Sequence, residues 1–218
     1  MKVYCLSGLG VDHRAFRNFS VEGYELVHIP WIAPLKNESL PEYAKRLFEL
    51  TDIPESYHLV GVSFGGMIAQ EFEKIREPES LFLISTISDR SELSGIFKLG
   101  GKLKLYKLVP RIFIVRANFL SYFLFGVKAK EDKQLLKEIL RDSEIRFFRW
   151  AMGAIVQWKN KNNSSGIRIH GTKDKILPIK SNSDFSIQNT GHFMIVTDGK
   201  ELSKVYESIH ENEKRPSR

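Results

Sequence analysis

The chain has 218 residues, 42% of them hydrophobic and 27% charged, which is typical of one globular domain rather than of a disordered, fibrous or membrane-spanning chain. Its single cysteine, Cys5, excludes an internal disulfide, and Met1-Lys2 leads directly into an apolar run without room for a signal peptide, so we expect a cytoplasmic protein. The formal net charge of +7 comes without a nucleic-acid-binding motif, and no Cys/His cluster has metal-ligand spacing, so we expect no nucleic acid partner, metal or other cofactor.

Short apolar runs alternate with helical patterns along the chain. The apolar runs predict strands at residues 3–7, 25–29, 57–62, 80–85, 166–170 and 184–187. The remaining patterns predict a short helix or turn at 15–19 and helices at 40–50, at 67–75 and near the C-terminus. Strands that alternate with helices predict an α/β fold, with a mostly parallel sheet covered by helices on both faces.

Residues 88–160 interrupt this alternation, because they are helical and rich in aromatic residues. An insertion between two sheet strands would lie over the strand ends, so we expect a lid (cap) at 88–160 on a core domain of residues 1–87 and 161–218. The alternative is a further helical layer with no gating role. An apolar part of a small-molecule substrate is suggested by the aromatic residues Phe119, Tyr122, Phe123, Phe125, Phe147, Phe148, Trp150 and Trp158.

The same insertion is strongly basic, with no acidic residue between Glu92 and Glu131. The basic residues of this interval are Lys98, Lys102, Lys104, Lys107, Arg111, Arg116, Lys128 and Lys130. They alternate with Leu99, Leu103, Leu105, Leu108, Ile112, Phe113 and Val115. This pattern favours amphipathic helices with a solvated basic face. Attraction of an anionic substrate and contact with an anionic membrane surface are the alternatives.

Residues 61–66 read Gly-Val-Ser-Phe-Gly-Gly, between a predicted strand and a predicted helix. A serine at such a turn takes an unusual backbone conformation that leaves its hydroxyl free, and flanking glycines avoid collisions with the neighbouring strand and helix. Ser63 is therefore the candidate nucleophile. The alternative is a glycine-rich turn with an exposed serine.

A serine hydroxyl needs a base, and the base needs an orienting carboxylate. His192 follows the last predicted strand in a loop that begins with glycine, whereas His58 and His170 lie within strands and His210 lies near the C-terminus, so these three suit packing or surface roles. His28 also lies within a strand, and His13 lies in the first loop, where it could line a pocket but is poorly placed in chain order to be the base. The acid is Asp174, in a short loop after the penultimate strand, and its rival is Asp89, after the fourth strand.

The order Ser63, Asp174, His192 resembles that of the α/β-hydrolase superfamily. Gly-Val-Ser-Phe-Gly-Gly at 61–66, His-Gly-Thr-x-Asp-x-x-x-Pro at 170–178 and Gly-His-Phe at 191–193 are similar to its compact, lid-bearing esterase-type branch. The resemblance implies a sheet of about six strands. It also implies an oxyanion hole formed by the backbone N–H groups of Leu9 and Phe64, although Ser7 replaces the usual histidine of that segment.

The leading functional prediction is a serine hydrolase that cleaves a small or medium carboxylic ester, or a thioester, through an acyl-enzyme on Ser63. Because a fold does not fix a reaction, a lyase or other non-hydrolytic enzyme on the same scaffold is an alternative. An inactive ligand-binding relative is a third, disfavoured because all three triad positions hold chemically competent residues.

Overall fold

The computed structural model describes residues 1–161, 164–179 and 183–213. Six strands form one sheet in the order β2-β1-β3-β4-β5-β6, and every neighbouring pair is parallel. The strands are β1 Lys2–Leu6, β2 Glu25–His28, β3 His58–Val62, β4 Ser80–Ile84, β5 Ile167–Gly171 and β6 Phe185–Ile187. The predicted fold class is confirmed.

The helices cover the sheet and fill the interval between β4 and β5. They are α1 Leu40–Leu50, α2 Phe64–Ile75, α3 Gly95–Lys102, α4 Arg111–Val115, α5 Phe119–Phe125, α6 Lys130–Asp142, α7 Ile145–Gln157, α8 Met194–Thr197 and α9 Gly199–Glu213. Single 3₁₀ turns occur at His13–Phe16, Arg90–Glu92 and Leu105–Lys107. A capping box between Ser39 and Glu42 fixes the start of α1.

The sheet separates two hydrophobic cores, because alternate side chains of a strand point to opposite faces. In β1, Tyr4 and Leu6 belong to the core under α1 and α2, whereas Val3 and Cys5 belong to the core under α9. All four side chains are buried. Because β1 and β3 are parallel neighbours, their carboxyl ends lie at the same edge of the sheet.

The segment between β4 and β5, here called the helical insertion (residues 88–160), is joined to the sheet domain by tryptophan side chains. Trp150 Nε1 donates to the carbonyl of Glu38, 2.8 Å away, and Trp158 Nε1 donates to Glu71 Oε1, 2.7 Å away. The helical content agrees with expectation, while the division into a core domain and a separate lid stays a prediction.

No helix in the described part of the chain is long and apolar enough to cross a membrane. Among those same residues, no group of three or more His, Cys, Asp or Glu side chains could hold a metal ion. The cytoplasmic location stays a prediction.

Over residues 99–112 the structure has the expected solvated basic residues, but it does not bury the apolar residues that alternate with them. The basic residues are largely exposed, but Leu99, Leu103, Leu105, Leu108 and Ile112 are exposed as well. Within α3 and α4, Phe97 packs against the core and Ile114 is buried, whereas Leu99 and Ile112 are exposed. The other exposed leucines, Leu103, Leu105 and Leu108, lie in the segment that connects the two helices. The side chain of Phe113 lies outside the described ones.

The start of α2 approaches β1 so closely at Gly65 that a side chain there would collide with the backbone. A Cβ built there would lie 2.3 Å from the carbonyl oxygens of Leu6 and Ser7. Backbone atoms cannot move aside as a flexible side chain can, so we expect Gly65→Ala to lower the free energy of unfolding by about 1–3 kcal/mol or more.

Urea denaturation would measure this change, with Gly100→Ala in α3 as the matched control. No atom lies within 4 Å of a Cβ built at Gly100, so this variant should be neutral or gain up to about 1 kcal/mol. Equal stability of the two variants would contradict the packing described at Gly65.

Candidate active site

Ser63 occupies a strained corner between β3 and α2. Its φ of 53° and ψ of −116° lie where L residues rarely occur. The corner is held because the N–H of Ser63 donates to the carbonyl of Ile84 on β4, 2.9 Å away. The carbonyl of Ser63 accepts from Thr86 Oγ1 at 2.6 Å. Both backbone polar groups of the strained residue are therefore fixed by the end of β4.

The support from Thr86 was not predicted from sequence. Thr86 follows Ser85, which also has a positive φ, 48°, and both residues are buried. A second turn with a positive φ thus lies beside the one that carries Ser63. The pattern Ser-Thr directly after β4 carries no periodic or charged signal that would single out this contact.

The carboxyl ends of three strands bring the predicted triad together. His192 Nε2 lies 2.9 Å from Ser63 Oγ, and His192 Nδ1 lies 2.7 Å from Asp174 Oδ2. An ionised carboxylate only accepts, so Nδ1 carries the proton and Nε2 is left to accept from the serine hydroxyl. This is the arrangement in which an imidazole acts as a general base.

Asp174 is buried and fully hydrogen-bonded. Its Oδ1 accepts from the N–H groups of Ile176 at 2.9 Å and Leu177 at 2.8 Å. Burial alone would raise the pKa of this carboxyl, but charge on His192 and hydrogen bonds from His170, His192 and the N–H of Leu177 outweigh it and hold the pKa below its usual value. Asp174 therefore stays ionised over the pH range in which His192 must stay oriented.

His170 takes part in this arrangement, contrary to its assignment as a packing or surface residue. Its Nε2 lies 2.6 Å from the carbonyl of Leu177 and 3.2 Å from Asp174 Oδ2. Both neighbours accept, so Nε2 carries a proton and helps to hold the Asp174 loop. The signal was present in the sequence, since His170 precedes Asp174 by four residues across a tight glycine-led turn.

The rival candidates lie elsewhere. Asp89 caps the 3₁₀ turn at Arg90–Glu92 by accepting from the N–H of Ser91. His13 is exposed and its ring faces His28, with 5.9 Å between centroids. His210 Nδ1 contacts the carbonyl of Tyr206, far along α9. The described structure brings none of these side chains to Ser63.

The loop after β1 borders the same site. Ser7 Oγ donates to the carbonyl of Val11 at 2.6 Å, and the N–H of Val11 donates to the carbonyl of Gly8 at 3.1 Å. These bonds close the loop without the histidine that Ser7 replaces. Leu9 lines the cavity over Ser63, and Phe64 is the first residue of α2, where a helix leaves its N–H without an internal acceptor. Their role as oxyanion donors stays a prediction.

A cavity of about 330 Å³ opens over Ser63 and His192. Its wall is almost wholly apolar, and no Asp, Glu, Lys or Arg among the described residues lines it. Of the eight aromatic residues expected to form a pocket, only Phe125 and Phe148 line this cavity. Phe147, Trp150 and Trp158 instead pack in or against the core under α1 and α2, because α7 turns them toward the sheet domain.

Solved structures similar to this chain include enzymes of several named activities. An esterase from Exiguobacterium antarcticum is 15% identical with a TM-score of 0.72, over 97% of this chain and 92% of that chain. A hydrolase from Oleispira antarctica is 15% identical with a TM-score of 0.70, over 98% of this chain and 91% of that one. The chain has the α/β-hydrolase fold.

A bromoperoxidase from Bacillus anthracis shares the fold at 15% identity and a TM-score of 0.68, over 96% of this chain and 91% of that chain. No protein-family model matches the sequence, and a comparison with curated proteins found no match. At such identities the likeness establishes the α/β-hydrolase fold alone, so the reaction must be argued from the site.

The lowered pKa of Asp174 leads to a stability prediction. A carboxylate whose pKa is lower in the folded than in the unfolded state stabilises the fold above its unfolded pKa, about 4, and loses that contribution as the pH falls through the folded pKa. The free energy of unfolding of the wild type relative to Asp174→Asn should therefore shrink as the pH is lowered from about 5 toward 3.

Urea denaturation at a series of pH values would measure this difference. Asp52→Asn, which removes an exposed carboxylate, serves as the control and should alter stability little over the same range. A difference between wild type and Asp174→Asn that stays constant or grows between pH 5 and 3 would contradict the electrostatic account of Asp174.

Proposed function

We propose that this α/β-hydrolase-fold protein is a serine hydrolase that cleaves a small or medium carboxylic ester with an apolar portion. The observation that carries the proposal is a pair of hydrogen bonds at the base of an apolar cavity. One joins Ser63 Oγ to His192 Nε2, and the other joins His192 Nδ1 to Asp174 Oδ2. A hydroxyl next to a neutral imidazole, itself next to a buried carboxylate, is the arrangement that nucleophilic acyl transfer requires.

In the first half-reaction, Ser63 Oγ attacks the carbonyl carbon of the ester while His192 Nε2 takes the hydroxyl proton. The oxyanion of the tetrahedral intermediate is stabilised by the N–H groups of Leu9 and Phe64. The intermediate collapses, the bond to the alcohol oxygen breaks, and His192 gives its proton to that oxygen. The products of this step are an alcohol and an acyl-Ser63 ester.

In the second half-reaction, water enters where the alcohol has left. His192 takes a proton from the water as the water oxygen attacks the acyl carbon. The bond between the acyl carbon and Ser63 Oγ then breaks, His192 returns the proton to Oγ, and the carboxylic acid leaves. Asp174 stays ionised throughout and stabilises the imidazolium that forms twice in each cycle. The helical insertion, as the proposed lid, keeps bulk water away from the apolar part of the substrate.

The wall of the cavity supports the choice of substrate class. A charged acyl group would be desolvated there without a partner, at a large cost in free energy, whereas an alkyl chain of moderate length gains from burial. A thioester follows the same steps with a thiol as the leaving group, so a panel of matched esters and thioesters separates the two.

We expect Ser63→Ala to lower kcat/KM toward p-nitrophenyl hexanoate by at least about 10³-fold, because the attacking oxygen is gone while the fold is kept. Ser91→Ala, at an exposed serine in the Arg90–Glu92 turn, is the matched control and should be near wild type. Undiminished hydrolysis by Ser63→Ala would refute the proposal. A wild type that turns over no ester or thioester would favour the lyase alternative.

A further inference from the structure

One stretch of the helical insertion, residues 99–123, exposes large apolar side chains in unusual density. Phe119 is 84% exposed and Leu108 is 75% exposed. Single exposed apolar residues are common on protein surfaces, but a concentration within one short segment marks an interaction site. The surface, here called the outer face, comprises Leu99, Leu103, Leu105, Leu108, Ile112, Phe119, Leu120 and Phe123.

The part of the outer face at residues 99–112 belongs to a segment that packs on α7 through other residues. A Cβ built at Gly101 would meet Val156 at 2.5 Å, and one built at Gly153 would meet the ring of Tyr106 at 2.9 Å. These close approaches fix α3 and the Leu105–Lys107 turn against α7.

Helix α5 is anchored in the same way, with its inner side toward the candidate active site. The carbonyl of Phe125 accepts from the N–H of Phe193 at 3.0 Å, and Leu124 lines the cavity. On the outer side, the rings of Phe119 and Phe123 stack with 6.4 Å between centroids. Lys175 Nζ lies 3.2 Å from the centroid of the Phe123 ring.

The charged residues of the segment that carries most of the outer face all have one sign. Residues 93–130 contain no Asp or Glu. Among the residues that the structure describes, none of the exposed cations here forms an ion pair within the protein. These cations are Lys102, Lys104, Lys107, Arg111 and Arg116.

We propose that the outer face docks on the surface of an anionic lipid bilayer. Leucine and phenylalanine side chains enter the boundary between head groups and acyl chains, while lysine and arginine remain at the level of the anionic head groups. The combination of exposed apolar groups with unpaired cations is what such a surface binds.

Charge complementarity distinguishes this partner from two others. A second copy of the chain, docked face to face, would bring two sets of unpaired cations together and repel. A nucleic acid would bind the cations but would leave Leu108 and Phe119 in water. An anionic bilayer accommodates both kinds of side chain at once.

Docking would also place the cavity near the bilayer, since Leu120 and Asn118 are exposed and line the cavity.

The docking itself needs no catalysis and does not rest on the proposed hydrolase activity. Ser63→Ala should therefore bind vesicles as the wild type does, which keeps a failure of one proposal distinguishable from a failure of the other.

Co-sedimentation of the full chain with phosphatidylcholine vesicles containing 30% phosphatidylglycerol tests the proposal. We expect binding at low salt, loss of most binding at about 0.5 M NaCl because of screening, and weak binding to phosphatidylcholine alone. Lys104→Glu/Lys107→Glu should lower the partition coefficient at least about tenfold. Lys200→Glu/Lys204→Glu on α9, which makes the same change in net charge at exposed positions, should lower it less than about twofold.

The apolar contribution is tested with Leu108→Ser/Phe119→Ser, which should also lose most binding because the side chains that enter the bilayer are gone. Leu50→Ser, at a 68% exposed leucine on α1, is the control and should bind as wild type. Each side chain is exposed, and a thermal melt of every variant verifies folding.

Three results would overturn the proposal. The first is no binding to anionic vesicles at low salt. The second is equal loss of binding in the α9 charge variant, which would make net charge rather than the outer face responsible. The third is a stable dimer in solution that Leu108→Ser/Phe119→Ser dissociates, which would assign the face to a second copy of the chain.

Discussion

The backbone conformation of Ser63 is the constraint on which the site depends. A positive φ at a residue with a side chain is unfavourable by about 1–3 kcal/mol, and it persists here because neighbouring strands determine it. The end of β4 binds both backbone polar groups of Ser63, and Gly65 lets α2 begin against β1. The hydroxyl then meets His192 Nε2 at hydrogen-bond distance. The loops that carry His192 and Asp174 leave the same edge of the sheet.

Electrostatics differ sharply between the inside and the outside of the helical insertion. Inside, the charge of Asp174 is compensated by two histidines and two backbone N–H groups. Among the described residues, no Asp, Glu, Lys or Arg lines the cavity. Outside, unpaired cations stand among exposed leucines. A buried charge must be compensated locally, whereas an exposed one can be left for a partner. The first pattern suits a reaction centre and the second suits a docking surface.

Much of the fold could be predicted from the sequence, because period-2 and period-3.6 patterns reflect burial directly. Helix α1 has the predicted bounds, and the three triad candidates follow from glycine-led turns in a fixed order. Contacts made by residues in turns are harder to predict from sequence. Thr86 and His170 act through hydrogen bonds that leave no periodic pattern, although the position of His170 four residues before Asp174 is a local signal. The exposure of Leu99, Leu103, Leu105 and Leu108 was not predicted, because the pattern indicates which residues share a face but not whether another element covers it.

The central claim is that His192 activates Ser63 as a nucleophile, and intact-protein mass spectrometry after reaction with a fluorophosphonate tests it most directly. A serine hydroxyl without a base reacts slowly, so labelling must depend on both residues. The account predicts one phosphonyl adduct per chain, located on Ser63 by peptide mapping, with labelling of His192→Ala slower by at least about 10²-fold. An adduct on another residue, or equally fast labelling of His192→Ala, would contradict it.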